Sequence, residues 1–292
     1  MNTEKEKRAI AYLQAFEPSA EPYYLCYSGG KDSDCIKILA ELSGAKFEAY
    51  HNLTTVDAPE TVYYIKSQKD VIINFPQKTM WQLIVEKGMP PTRLARYCCE
   101  KLKERGGDGR IKITGVRWSE SPKRRESAGL VKIIGKEKTT RKQAEEEGIN
   151  HRVSKQGGLI LNDDNDESRR FVEHCYRTTT TMVNPINDWT DEDVWSFLHH
   201  YGCKGNPLYH CGFHRIGCIG CPLGGYASMK KEFLRYPKYR ENYVRAFDRM
   251  LQRRQEKGLP ANDIPKNGEL VMRWWVGDDP RQLTMFDEVN DG

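Results

Sequence analysis

Two groups of residues carry side chains and spacings suited to chemistry. The first is Ser28-Gly29-Gly30-Lys31-Asp32-Ser33, set between a short apolar run, 23–27, and a helical pattern over 32–43. Two glycines let the backbone approach an anion with no Cβ in the way. The first turn of a helix aims unpaired N–H groups at the same point, where the helix dipole favours negative charge. Ser28 and Ser33 add hydroxyls and Lys31 adds a positive charge. Such a loop suits phosphate or pyrophosphate, and hence a nucleotide. It is neither the Walker loop nor the G-x-G-x-x-G fingerprint. A chance glycine turn before a surface helix is the bland reading, and the strand–loop–helix order argues against it.

The second group is thiols. The chain has nine cysteines: Cys26, Cys35, Cys98, Cys99, Cys175, Cys203, Cys211, Cys218 and Cys221. Cys98 and Cys99 are adjacent, a strained arrangement for a disulfide. Cys218-Ile219-Gly220-Cys221 is a C-x-x-C pair. Four thiolates converging from two segments suit Zn²⁺ or an iron–sulfur cluster. A thioredoxin-like redox pair competes for the C-x-x-C alone, but the expected βαβ start is missing. The opening MNTEKEKRAI lacks the apolar centre of a signal peptide, so a cytoplasmic location is expected and a disulfide framework is not.

Bulk properties fit an enzyme with a polar surface. A length of 292 residues suits one main core with insertions. No run of about 18 apolar residues occurs, so no membrane span is expected. The net charge of +5 is compatible with anionic ligands. Basic residues cluster at Lys123-Arg124-Arg125, from Lys136 to Lys142 and from Arg249 to Lys257. Each run alone reads as a solvated face, and together they keep a polynucleotide substrate open.

The elements that must position these groups follow from periodicity. Strands are expected at 23–27, 47–53, 70–74 and 111–118. Helices are expected at 4–16, 32–43, 60–68, 79–87 and 93–105, the last carrying Cys98 and Cys99. The alternation predicts an α/β, Rossmann-like parallel sheet with helices on both faces. Ligands of such sheets sit beyond the carboxyl ends of strands. There Arg117 is placed to hold phosphate or sulfate. Asp57, after the second strand, is placed to contact ribose or adenine or to assist Mg²⁺. Periodicity fades over 119–175. This stretch reads as an insertion, about 119–182, with a hairpin near 150–162, and is either a lid or a surface excursion. The acidic run Asp163 to Glu167 lacks the glycine spacing of a calcium loop. Thr190 is a good N-cap, residues 227–259 read as helical and basic, and the tail 276–292 as frayed. The expected divisions are an N-terminal helix (1–22), a nucleotide-binding domain with its insertion (23–225) and a helical C-terminal region (226–292).

SGGKDS resembles the PP-loop of ATP pyrophosphatases and sulfonucleotide reductases. With TTVDAPE, RYCCEKLKE, TGVRWSESPKRRE, NPINDWTDEDVW and NPLY-x4-HRIGCIGCP in that order, the chain resembles the phosphoadenosine phosphosulfate reductase family over 23 to about 225. The likeness is to its iron–sulfur branch, which includes adenylyl-sulfate reductases and sulfur-transfer enzymes of DNA phosphorothioation. The resemblance implies an adenine-nucleotide domain with phosphate contacts from Ser28, Gly29, Gly30, Lys31, Asp32 and Ser33. It also implies a [4Fe–4S] cluster on Cys98, Cys99, Cys218 and Cys221. Cys211 is an alternative to one member of the adjacent pair, and Cys175 a weaker one.

One departure bears on the reaction. Sulfonucleotide reductases carry a Glu-Cys-Gly-x-His tail, whereas no cysteine follows Cys221 here. A reductase cycle would therefore need Cys175, Cys203 or Cys211. The favoured expectation is ATP-dependent adenylylation followed by sulfur transfer to an acceptor, with Mg²⁺ accompanying ATP and Lys31, Asp32 and Arg117 in the catalytic site. Reduction of an adenylyl sulfate is the second expectation. A non-catalytic nucleotide- or nucleic-acid-binding module with a structural cluster is the third. A nucleic-acid acceptor and a thiol or sulfur-donor protein are the expected partners.

Overall fold

The computed structural model describes residues 3–135, 137–259 and 265–278. Most of the tail expected to fray lies outside them. The chain folds into two compact units. The first comprises residues 1–51, 60–74 and 106–216; the second comprises 52–59, 75–105 and 217–292. The expected boundary at 225 thus falls inside the second unit.

The first unit is built on one eight-stranded sheet. Helix α1 (Thr3–Ala15) leads into β1 (Tyr23–Cys26), then α2 (Lys31–Ser43), β2 (Phe47–Asn52), α3 (Pro59–Ser67) and β3 (Val71–Asn74). β4 (Lys112–Ile113) follows, then α5 (Pro122–Ser127), β5 (Val131–Ile134), α6 (Glu137–Glu146), β6 (Arg152–Val153), β7 (Leu159–Leu161), α7 (Asp166–Cys175), β8 (Thr180–Val183) and α8 (Asp191–His200). The strand order is β3-β2-β1-β4-β8-β5-β7-β6. β1 pairs in parallel with β2 and β4, and β4 with β8. The order reverses between β1 and β4, so the loops leaving these two strands flank one crevice, the usual ligand position in such sheets. Helix α2 stops where expected, with Gly44 left-handed at φ 72° as its cap.

Three expectations are corrected. First, the sheet is mixed: β5 runs antiparallel to β8 and β7, and β7 to β6. The stretch 119–182 is therefore neither lid nor surface excursion but half of the sheet. Its strands are short, yet Leu130, Val131, Ile133, Leu159, Leu161, Phe171 and Val172 are buried in the common core. The hairpin expected near 150–162 is present as β6–β7. Its acidic run starts a helix: Asn165 caps α7, and Asp166 and Glu167 occupy the first turn. Second, the fourth strand is only two residues long. Past Thr114 the chain must clear α2: a Cβ on Gly115 would lie 3.0 Å from Asp32 Cβ and from Asp32 O. Third, the helix expected over 93–105 is a π-helical turn, Cys99–Lys103, closed by Glu104 N–H to Cys99 O at 2.8 Å. Residues upstream are drawn into a separate turn, in which Thr92 N donates to Ala95 O and Ala95 N to Thr92 Oγ1.

The second unit is helical. It contains α4 (Met80–Lys87), α9 (Tyr226–Arg235), α10 (Pro237–Glu256) and α11 (Gly268–Trp275). Trp81, Phe233, Phe247 and Trp275 pack around Tyr243 and one another, with Trp81 and Trp275 each 4.8 Å from Tyr243 between ring centroids. No described helix is long and apolar enough to cross a membrane.

Candidate functional site

In the first unit, β1 delivers the chain into the glycine loop and α2 begins at Lys31. Gly29 has φ +74°, and a Cβ there would lie 2.9 Å from Ile65 Cγ1; only glycine meets both conditions. Ser33 Oγ accepts from Gly30 N at 3.1 Å and donates to Gly30 O at 2.7 Å, which closes the loop on the helix. Ser28 Oγ donates to Ser33 Oγ at 3.3 Å. Lys31 N–H, in the first turn, donates to Tyr209 Oη at 2.9 Å.

Beside the loop lies an ion-pair lattice. Lys31 Nζ is 3.1 Å from Asp32 Oδ2 and 3.3 Å from Asp191 Oδ1. Arg117 Nε donates to Asp32 Oδ1 at 2.8 Å and Nη2 to Asp191 Oδ1 at 2.5 Å. Nη1 donates to Ser119 Oγ at 2.8 Å and Trp189 O at 3.3 Å. Arg117 therefore adjoins the loop as expected, but its buried guanidinium is engaged as a brace for two carboxylates rather than held free for an anion. Burial pushes the Asp191 carboxyl up, but its hydrogen bond to Arg117 and the charges of Lys31 and Arg117 outweigh this and hold it below the usual range. Burial opposes the charge of Arg117, and Asp32 with Asp191 restores it.

Beneath the lattice, Asp34 is buried and accepts from Tyr27 Oη at 2.6 Å and Tyr64 Oη at 3.1 Å. Burial raises its pKa to about 6 despite those two donors. Asn206 donates to Gly29 O at 3.0 Å and to Thr61 Oγ1 at 3.1 Å. Asp34, Asp191, Asn206 and Tyr209 were not among the expected site residues. The latter three stand in NPINDWTDEDVW and NPLY, segments quoted above for the family resemblance.

Cys98, Cys99, Cys218 and Cys221 belong to the second unit. Cys218 forms an isolated β-bridge with Asp57, and Ile219 N donates to Val56 O at 2.8 Å. Gly220 turns the C-x-x-C at φ +73°, and a Cβ there would meet the Phe233 ring at 2.5 Å. Cys98 and Cys99 share a hydrogen bond; it lowers Cys99, which also faces the Arg96 guanidinium, and raises Cys98, which burial raises further. Cys98 also lies in the field of Cys218 and Cys221. Burial raises the Cys218 thiol to about 11, opposed by Lys103. The field of Cys218, then Asp57, holds Lys103 in its charged form. Asp57, expected at the nucleotide, lies in the second unit, and its carboxylate accepts from Thr54 N at 2.7 Å.

Cys98, Cys99, Cys218 and Cys221 thus share one neighbourhood. Among the described residues, no three His, Cys, Asp or Glu close on the range that a single ion requires. A [4Fe–4S] cluster spreads its cysteines over separate irons, and the four-thiol donor set fits that group.

The fold is α/β, and its helix α2 begins at the glycine loop that leaves β1. The chain belongs to the phosphoadenosine phosphosulfate reductase family, whose domain matches residues 22–223. An uncharacterized protein of Methanocaldococcus jannaschii is 26% identical over 263 residues, 83% of this chain and 45% of that protein. A second from the same organism is 26% identical over 247 residues, 82% of this chain and 49% of that protein. The chain therefore spans about half the length of these curated relatives. Adenosine 5'-phosphosulfate reductase of Allochromatium vinosum is 41% identical over 39 residues, 13% of this chain and 15% of that protein. The crystal structure of phosphoadenylyl-sulfate reductase from Candida auris, a phosphate complex, covers 74% of this chain and 93% of its own, with 12% identity and a TM-score of 0.44.

Proposed function

We propose that the chain is an ATP-dependent adenylylating and sulfur-transferring enzyme. The observation that carries this is the pair of carboxylates, Asp32 and Asp191, held beside the glycine loop by Lys31 and Arg117. Carboxylates repel a bare anion. They suit a polyphosphate that arrives with Mg²⁺, which binds through one or two carboxylates and phosphate oxygens. The loop amides and Lys31 hold the triphosphate. An acceptor oxygen attacks the α-phosphorus, the bond to the bridging oxygen breaks, and pyrophosphate leaves with that electron pair. Lys31 and the helix N-terminus stabilise the developing charge. Arg117 keeps Asp32 and Asp191 in place. A sulfur nucleophile then displaces AMP from the acceptor.

In this proposal Cys98, Cys99, Cys218 and Cys221 hold a [4Fe–4S] cluster. When bound, the cluster supplies one-electron redox chemistry and a site for sulfur. A nucleic-acid acceptor, a sulfur-donor protein and a cytoplasmic setting with reduced thiols belong to the same proposal. The test is pyrophosphate release from anaerobically purified protein given ATP and an acceptor panel, with iron and sulfide analysis. Binding of ATP without any turnover would remove the enzymatic reading and leave a nucleotide sensor. The second reading, reduction of an adenylyl sulfate, is favoured by the local identity to adenosine 5'-phosphosulfate reductases. Sulfite formation from adenylyl sulfate in the same preparation would select it.

A further inference from the structure

One loop amide is met by a side chain from 178 residues along the chain: Lys31 N–H donates to Tyr209 Oη. The turn bearing Tyr209, a 3-10 helix over Pro207–Cys211, is tied to the loop by Asn206. The Asn206 amide nitrogen bonds Gly29 O and Thr61 Oγ1, and its Oδ1 accepts from Leu208 N at 3.1 Å. The Tyr209 ring stands edge-on to Trp195 at 4.9 Å. Gly30 leaves room for the hydroxyl: a Cβ there would lie 3.2 Å from Oη. The turn therefore grips the loop at two points.

A phenol has one proton to give and lone pairs to accept. Accepting from Lys31 N–H fixes the oxygen and leaves the proton. Among the described residues no acceptor takes that proton. Burial, with the nearby Asp32, Asp34 and Asp191, keeps the phenol protonated. The hydroxyl is thus an oriented donor at the mouth of an anion cradle.

We propose that Tyr209 is a phosphate ligand, its Oη anchored by Lys31 N–H and donating to a non-bridging phosphate oxygen of the nucleotide. This rests on the nucleotide reading and extends it: part of the anion's recognition comes from the NPLY segment, outside the glycine loop. A rival arrangement predicts the opposite sign. If Oη only occupies the anion's place at Lys31 N–H, the anion must displace it, and deleting it would tighten binding.

The experiment is calorimetric titration of the full chain and its Tyr209→Phe and Lys31→Ala variants with ATP, pyrophosphate and adenosine. A hydrogen bond to a charged group corresponds to about ten- to hundredfold in affinity. Tyr209→Phe is expected to lose that much for ATP and pyrophosphate and nothing for adenosine. Unchanged or tighter binding of the phosphates overturns the assignment. So does equal weakening for adenosine, which would mark a merely structural role. Hydrogen exchange of the wild-type Lys31 amide gives a readout free of substitution: pyrophosphate should increase its protection, and decreased protection overturns the proposal. Should Lys31→Ala weaken phosphate binding while Tyr209→Phe does not, only Tyr209 is misassigned. Should the wild type bind neither ATP nor pyrophosphate, the nucleotide reading falls and takes this inference with it.

Discussion

Replacing Asp34 by Asn should change the pH dependence of stability in a defined direction. Asp34 is 4% exposed, and burial lifts its carboxyl from 3.8 to about 6. The native state then binds this proton more tightly than the unfolded chain does. Between about pH 4 and pH 6 the native state holds more protons, so this group's contribution falls as pH rises through that window. At about 1.4 kcal/mol per pKa unit, the ionised carboxylate costs about 3 kcal/mol at pH 7 relative to pH 3. Asparagine does not titrate. Its altered bonds to the Tyr27 and Tyr64 hydroxyls add an offset nearly independent of pH. The difference in unfolding free energy, variant minus wild type, should therefore climb by about 2.4 kcal/mol from pH 4 to pH 7. Urea titrations read by hydrogen exchange of the β1 and α2 amides confine the measurement to the first unit. A difference curve that stays flat across this range would refute the burial argument.

Three other outcomes follow from the same geometry. Gly29→Ala should lose about 2–5 kcal/mol, from a left-handed Cβ and its overlap with Ile65, and a thermal melt matching wild type would contradict it. Arg117→Leu should let the Asp191 carboxyl rise from its depressed pKa, as followed by carbon NMR of the labelled carboxylate; an unmoved titration would show that Lys31 alone holds it low. Cys218→Ala should abolish stoichiometric iron in anaerobically purified protein, whereas Cys175→Ala should not; iron retained at wild-type level in the first variant would exclude Cys218 as a ligand.

The strand–loop–helix around Ser28–Ser33 was legible because its signals are local: a β-rich run, two glycines and a helix start within about twenty residues. The same holds for the Gly44 cap and for the helices over 227–259, which appear as α9 and α10. Apart from its β6–β7 hairpin, the stretch 119–182 was not legible. Its strands are two to four residues long, too short for alternation to register, and their partners are set by the sheet rather than by sequence. Arg117 was expected beside the loop because it follows a strand, but its ion-pair partners were not foreseen. The carboxylates that engage it come from Asp32 and Asp191, 85 and 74 residues away, and spacing carries no sign of such contacts. The local bond that the Asp57 carboxylate accepts from Thr54 N was equally invisible in the spacing.

The second unit is stitched from three stretches of chain, and this dictates a timetable. Cys218 follows Cys99 by 119 residues. At ribosomal speeds of about 5–20 residues per second, the early thiols wait about 6–24 s for their late companions. Throughout that interval Cys98 and Cys99 form a neighbouring dithiol without Cys218 and Cys221. Under the proposed cluster assignment, loading would wait until Cys221 has emerged, and a soft cation captured earlier by the first pair would have to be surrendered.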